Sequence, residues 1–247
     1  MVRPAGHRQY PVAVDTDSGA TPNRPLIAAL LPRLAEAAMP EKAEGMAAYM
    51  KSSMPYLGVP SPTVRKTVRG LAKEFPFTGV TQLRATVEAL WRGAGVREER
   101  YAAIMLTDSR TARGEMALLP FYLEVVETGQ WWDYVDSVAP RICELLLAHR
   151  TEMEPTIRSW STAADFWLRR SAIIAQLPAK AATDTALLED VIGPNLAEKE
   201  FFIRKAIGWS LRQYARTDPA WVLGFVARHR DRLSPLSTRE ALKHLGA

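Results

Sequence analysis

Two segments of this chain repeat one pattern 35 residues apart: "WLRRSAIIA", starting at Trp167, and "FIRKAIGWS", starting at Phe202. Each presents an aromatic, an aliphatic, two cations and then an apolar helix. A third segment, "EERYAAIML" near Arg100, stands about two such periods earlier. Helix pairs recurring at roughly 35 to 47 residues mark an α-solenoid, because each pair can bury its apolar face only against its neighbours. The rest of the chain agrees. "PLIAALLPRLAEAA", "TQLRATVEALWRG", "EMALLPFYLEVVE" and "RICELLLAHR" carry apolar residues at three- and four-residue spacing, as amphipathic helices do. The breaks between them are short and chemically plain: "GVPSPT" supplies Gly and Pro, and "RTDPAW" sets an acid and a Pro at a helix start. No stretch alternates as strands do. The expected fold is all-α, a curved α-solenoid of tandem helical repeats with a concave side. It occupies residues 26–247 as one domain, after a mobile N-terminal extension over residues 1–25.

Composition narrows the functions open to such a fold. Lys and Arg number 32 against 27 Asp and Glu, a net charge of +5, which suits a polyanionic partner without requiring one. Cys143 is the only cysteine, so an intrachain disulfide and a cysteine-based metal cage are both excluded. The four histidines, His7, His149, His229 and His244, are scattered, and no metal or other cofactor is expected. No apolar run reaches the roughly 18 residues that span a membrane, and the N-terminus lacks a signal-peptide core. A cytoplasmic protein is expected.

The stretch "WWDYVD", residues 131–136, sets two indoles beside two carboxylates. On a helix Trp132 and Asp136 are i and i+4 and share a face, while Trp131 pairs with Val135 about 100° away. Three readings of that stretch stand. Trp132 is core and Asp136 a solvated acid; or Asp133 and Asp136 form an acid pair for glycoside hydrolysis, though i and i+3 carboxylates diverge around a helix; or an aromatic wall and one carboxylate hold a cation-like group. The later repeats supply what the third reading needs: Arg169 and Arg170 in "WLRRSA", then Arg204, Lys205, Trp209, Arg212 and Arg216 in "FFIRKAIGWSLRQYAR". Trp209 and Arg212 again share a helix face. Equivalent helices of successive repeats line one surface, so Trp132, Asp136, Arg170, Trp209 and Arg212 are candidates to converge. Guanidinium groups would hold phosphates there and indoles would meet sugar or base. As the plainer account, Arg169, Arg204 and Arg216 are solvated or salt-bridging charges.

"WWDYVD", "FWLRRSAI" and "EFFIRKAIGWSLRQYARTDPAWV" closely resemble the AlkD-like DNA alkylation repair glycosylases, as does "YMKSSMPYLGVPSPTVRK" at residues 49–66. The resemblance runs from about residue 30 to the C-terminus. It implies HEAT-like repeats whose concave basic face binds duplex DNA, and an enzyme that removes N3- and N7-alkylated purines without flipping the base and without a cofactor. It implies catalytic roles for Trp132, Asp136 and Trp209 at the deoxyribose, and contacts from Arg170 and Arg212 to the DNA backbone. Arg169, Arg204 and Lys205 join those two as the cations expected at DNA. Ser53 stands where members often carry a larger polar residue. The chemistry agrees with this assignment. An alkylated purine is already cationic, its glycosidic bond is weak, and the sugar it leaves behind is oxocarbenium-like, a charge that Asp136 can stabilise while orienting water. A monofunctional, monomeric glycosylase is expected, since no isolated buried lysine offers a Schiff base. The alternative is a non-catalytic repeat scaffold that binds DNA or protein.

Overall fold

The structure, a computed structural model, describes residues 20–245. Most of the N-terminal extension expected from the sequence therefore lies outside the described residues. Among those residues there are thirteen α-helices, four short 3-10 turns and no strand. The chain is all-α. Its residues group into two compact units, 20–122 and 123–245.

The first unit is built from α1 (Arg24–Ala35), α2 (Pro40–Met50), α3 (Ser61–Glu74), α4 (Val80–Gly93) and α5 (Arg97–Leu106). α3 packs against α1 and α5, and α4 against α5. The apolar spacing read from the sequence is what closes these contacts: Leu26, Leu30 and Leu34 of α1 and Val64, Val68 and Leu71 of α3 are all buried. Each fully buried aliphatic side chain contributes about 1.5 to 3 kcal/mol. A buried carboxylate orders the loop before α3. Glu98 is fully buried and accepts from the backbone N–H groups of Leu57, Gly58 and Val59 at 2.9 to 3.1 Å. Gly58 is required there, because its φ is +82° and a Cβ would lie 2.1 Å from the Met39 carbonyl oxygen.

α6 (Leu119–Gly129) crosses the division between the units. The second unit continues with α7 (Trp132–Ala148), α8 (Arg150–Ser161), α9 (Phe166–Ile174), α10 (Thr185–Ile192), α11 (Phe201–Tyr214), α12 (Pro219–Arg228) and α13 (Pro235–Leu242). α7, α9, α11 and α13 pack side by side in that order, and α8, α10 and α12 form a second layer across them. This is the tandem helix pairing that the 35-residue period requires. The helix starts are chemically marked. Side chains of Asp165, Asp184, Glu200, Asp218 and Ser234 each accept a backbone N–H in the first turn of α9, α10, α11, α12 and α13. Asp218 with Pro219 is the helix start read from "RTDPAW".

Candidate active site

Two helix starts decide where the site forms. Trp131 is extended and precedes α7, so Trp132 opens the helix and Asp136 follows one turn later on the same face. Trp131 turns away from that face. Its ring lies 6.2 Å from Trp167 and 5.7 Å from Phe202, and those two rings are 5.0 Å apart. The starts of α7, α9 and α11 are thus joined by a cluster of three mutually contacting aromatic rings, one from each repeat. Val135, the helical partner of Trp131, is fully buried.

This cluster ties the three helix starts to one another, and Arg170 of α9 uses that placement. Its Nε donates to Asp136 Oδ1 and its Nη2 to Asp136 Oδ2, both at 2.8 Å. Nη1 donates to the Phe202 carbonyl at 2.6 Å. One guanidinium therefore joins the helices on either side of its own. The Arg170 side chain is 5% exposed and that of Asp136 17%. A fork-to-fork pair of this kind is among the strongest polar contacts a protein makes. Asp136 is accordingly not a solvated surface acid.

Burial pushes the Asp136 carboxyl above its ordinary 3.8; the hydrogen bonds and charge of Arg170 pull it back, and nearby Asp133 adds a smaller upward push. Asp133 is itself buried, one turn short of Asp136. Pro140 sits four residues after Asp136 within α7 and has no N–H to return to the Asp136 carbonyl.

The remaining residues singled out in the sequence fall into distinct settings. Trp132 and Trp209 are both half-buried, on α7 and α11 respectively. Trp209 makes no aromatic ring contact among the described residues. Arg169 is tied to the loop before its own helix, donating to the Ala163 and Ala164 carbonyls and pairing with Glu198 at 2.8 Å. Lys205 and Arg212 both pair with Glu240 of α13. Arg204 makes no ion pair among the described residues, and its Nε is buried without an acceptor.

Arg170, which the resemblance assigns to the DNA backbone, has its side chain turned inward onto Asp136 in this structure. A buried guanidinium already committed to a carboxylate and a carbonyl sets the carboxylate's position before it does anything else. The acids that hold the other cations, Glu198 and Glu240, carry no motif signature in the sequence. One signal for the second was present, since Glu240 follows Lys205 by 35 residues, the repeat period itself.

Among the described residues no group of three or more His, Cys, Asp or Glu side chains is placed to hold a metal ion. Nor is any helix long and apolar enough to cross a membrane. Cys143 is buried, and its thiol is pushed up to about 11, first by burial and then by Glu144, which makes it a poor nucleophile.

Comparison with known proteins adds to this geometry. A family model described as DNA alkylation repair enzyme matches residues 30–245. A solved structure described as a predicted DNA alkylation repair enzyme from Enterococcus faecalis is 36% identical, with a TM-score of 0.76, and the match covers 85% of this chain and 97% of that one. A Pseudomonas fluorescens alkylpurine DNA glycosylase AlkC, solved bound to DNA containing an abasic site analog, is 17% identical with a TM-score of 0.44. That match covers 92% of this chain and 65% of the other, and the likeness is too slight to carry an argument. No curated protein matches the sequence.

Proposed function

Because the chain belongs to the DNA alkylation repair enzyme family, we propose that it is a monofunctional DNA glycosylase for cationic N3- and N7-alkylated purines in duplex DNA. The observation that carries this reading is the enclosed Asp136 carboxylate, held by both oxygens on Arg170.

A carboxylate in that setting suits one kind of chemistry. Alkylation leaves the purine with a full positive charge, so the C1′–N bond breaks with its electron pair returning to the base, which departs neutral. Positive charge then develops at C1′ and the ring oxygen of the deoxyribose. Asp136 supplies fixed negative charge beside it in a partly dry site, where such an interaction is worth roughly 3 to 4 kcal/mol. A water held by Asp136 adds to C1′ and gives up a proton to that carboxylate. Trp132 and Trp209 offer π faces to the electron-poor C–H groups of the sugar. No strong general acid is needed for a leaving group that is already cationic, and none of these steps calls for a metal or organic cofactor. A base attacked in this way need not enter an enclosed pocket. The enzyme acts as a monomer.

Release of free 3-methyladenine or 7-methylguanine from methylated duplex DNA tests the proposal, with wild type compared against Asp136→Asn. Release by wild type, lost in a variant that still binds DNA, supports it. A folded wild type that binds DNA and releases no base would make the chain a binding scaffold.

A further inference from the structure

Glu240 is a charged residue that neither the helical repeat nor the glycosylase chemistry requires. Its Oε1 accepts from Lys205 Nζ at 3.0 Å and its Oε2 accepts from Arg212 Nη1. The carboxylate is 15% exposed, against 23% for Arg212 and 40% for Lys205. The two cations face solvent more than the acid that holds them.

The backbone enforces this placement. Gly208 of α11 lies directly under α13, where a Cβ would come within 2.5 Å of Glu240 Cβ and 2.9 Å of the Ser237 carbonyl oxygen. The Ser237 hydroxyl donates to the Arg204 carbonyl at 2.9 Å, a second tie between the two helices. Glu240 is thus set over α11 by helix packing. The hydrogen bond from Lys205 holds the Glu240 carboxyl below its ordinary 4.5, outweighing burial, with further lowering from the charges of Lys205, Arg212 and Lys243. It is ionised at neutral pH.

We propose that Glu240 is an intramolecular stand-in for a DNA phosphate, which occupies Lys205 and Arg212 in the free protein and weakens the grip on undamaged duplex. The inference rests on the reading of the chain as a DNA-binding enzyme. Two cations sharing one carboxylate present about half the charge that they would present alone. A backbone phosphate meeting them must displace or share Glu240, so non-specific binding is reduced while the site around Asp136 is unaltered. For an enzyme that must leave each normal nucleotide to find a rare lesion, Glu240 is then a specificity-determining residue.

Salt dependence separates this role from a structural one. Binding of unmodified labelled duplex DNA is measured by anisotropy across about 50 to 200 mM salt for wild type, Glu240→Gln and the triple variant K205Q/R212Q/E240Q. Each additional phosphate neutralised steepens the slope of log K against log salt by about 0.9, which is roughly 3.5-fold more loss of affinity over that range. Glu240→Gln is expected to bind more tightly at low salt, with a slope steeper by one such phosphate or two. The triple variant returns the slope to the wild-type value or below it. An unchanged slope or weaker binding in Glu240→Gln overturns the proposal. The wild-type arm alone reports on the underlying reading: absence of salt-sensitive DNA binding there overturns that reading, and this inference with it.

Discussion

Arg170 and Asp136 form a two-pronged ion pair across adjacent helices, with both hydrogen bonds at 2.8 Å and little of either side chain open to solvent. The carboxylate is thereby aimed, and it is also kept charged in a place that disfavours charge.

The first prediction concerns pH. In the proposed reaction only ionised Asp136 stabilises the developing oxocarbenium ion, and burial raises its pKa above 3.8. The reaction therefore slows as pH falls through that raised value, and the acid limb of kcat/KM lies above 3.8. In Arg170→Ala the carboxylate keeps its burial and loses its counter-charge, so the limb moves to higher pH. Arg170→Lys restores charge without the fork and moves it less. An acid limb that stays put in Arg170→Ala would mean that the pair is structural only.

The second concerns the carboxylate. Asp136→Asn preserves shape and an acceptor oxygen but removes the negative charge. Base release is expected to fall a few hundredfold, equivalent to about 3 to 4 kcal/mol of lost transition-state stabilisation. Single-turnover base release at saturating enzyme measures this directly, without interference from product release.

Substrate charge provides the third. The proposed chemistry relies on a purine that is already cationic and offers no strong acid to a neutral one. Duplexes carrying hypoxanthine or uracil are expected to release base no faster than without enzyme, while 7-methylguanine is released. Comparable rates on neutral and cationic lesions would require a proton donor that Asp136 and Arg170 do not provide.

The fourth is a matter of stability. Glu98→Ala would strand the N–H groups of Leu57, Gly58 and Val59 beneath the loop before α3. A buried donor left unpaired costs about 1 to 3 kcal/mol, so thermal melting is expected to show a large loss of stability. Glu98→Gln keeps one acceptor oxygen and should lose less.

Helix contact supplies the fifth. Gly208→Ala puts a methyl group against Glu240 Cβ and the Ser237 carbonyl, and α13 must move off α11 to admit it. Overpacking of this kind costs about 1 to 3 kcal/mol. The melting temperature should drop, and the ties from Glu240 to Lys205 and Arg212 should loosen with it.

Much of this architecture could be read from residue order. The apolar spacing in "PLIAALLPRLAEAA" and the acid–proline start in "RTDPAW" are local signals, and local signals settle helices and their ends. The 35-residue period was legible for the same reason, since it repeats a local pattern. Placing Trp132 and Asp136 on one helical face needed only the helical pitch. The partner of Asp136 did not follow from that pitch. Arg170 sits 34 residues away, and nothing in "FWLRRSAI" says which of its two arginines turns inward and which reaches back to cap a loop. That choice is made by packing, which sets α9 between α7 and α11 with their starts joined by the ring cluster. The acids that occupy Arg169, Lys205 and Arg212 were hidden in the same way, as charges on neighbouring elements that resemble ordinary surface residues in sequence.

The reach of Arg170 to both flanking helices has a consequence for how this chain can change in length. Stacked-repeat proteins grow and shrink by gaining or losing whole units, usually with little harm. Here a unit inserted between α7 and α9, or between α9 and α11, would separate Asp136 from Arg170 or Arg170 from the Phe202 carbonyl. Additions after α13 would break neither link. The three consecutive units from α7 to α11 therefore have to stay adjacent for these links to form, within a type of fold that elsewhere tolerates duplication and deletion.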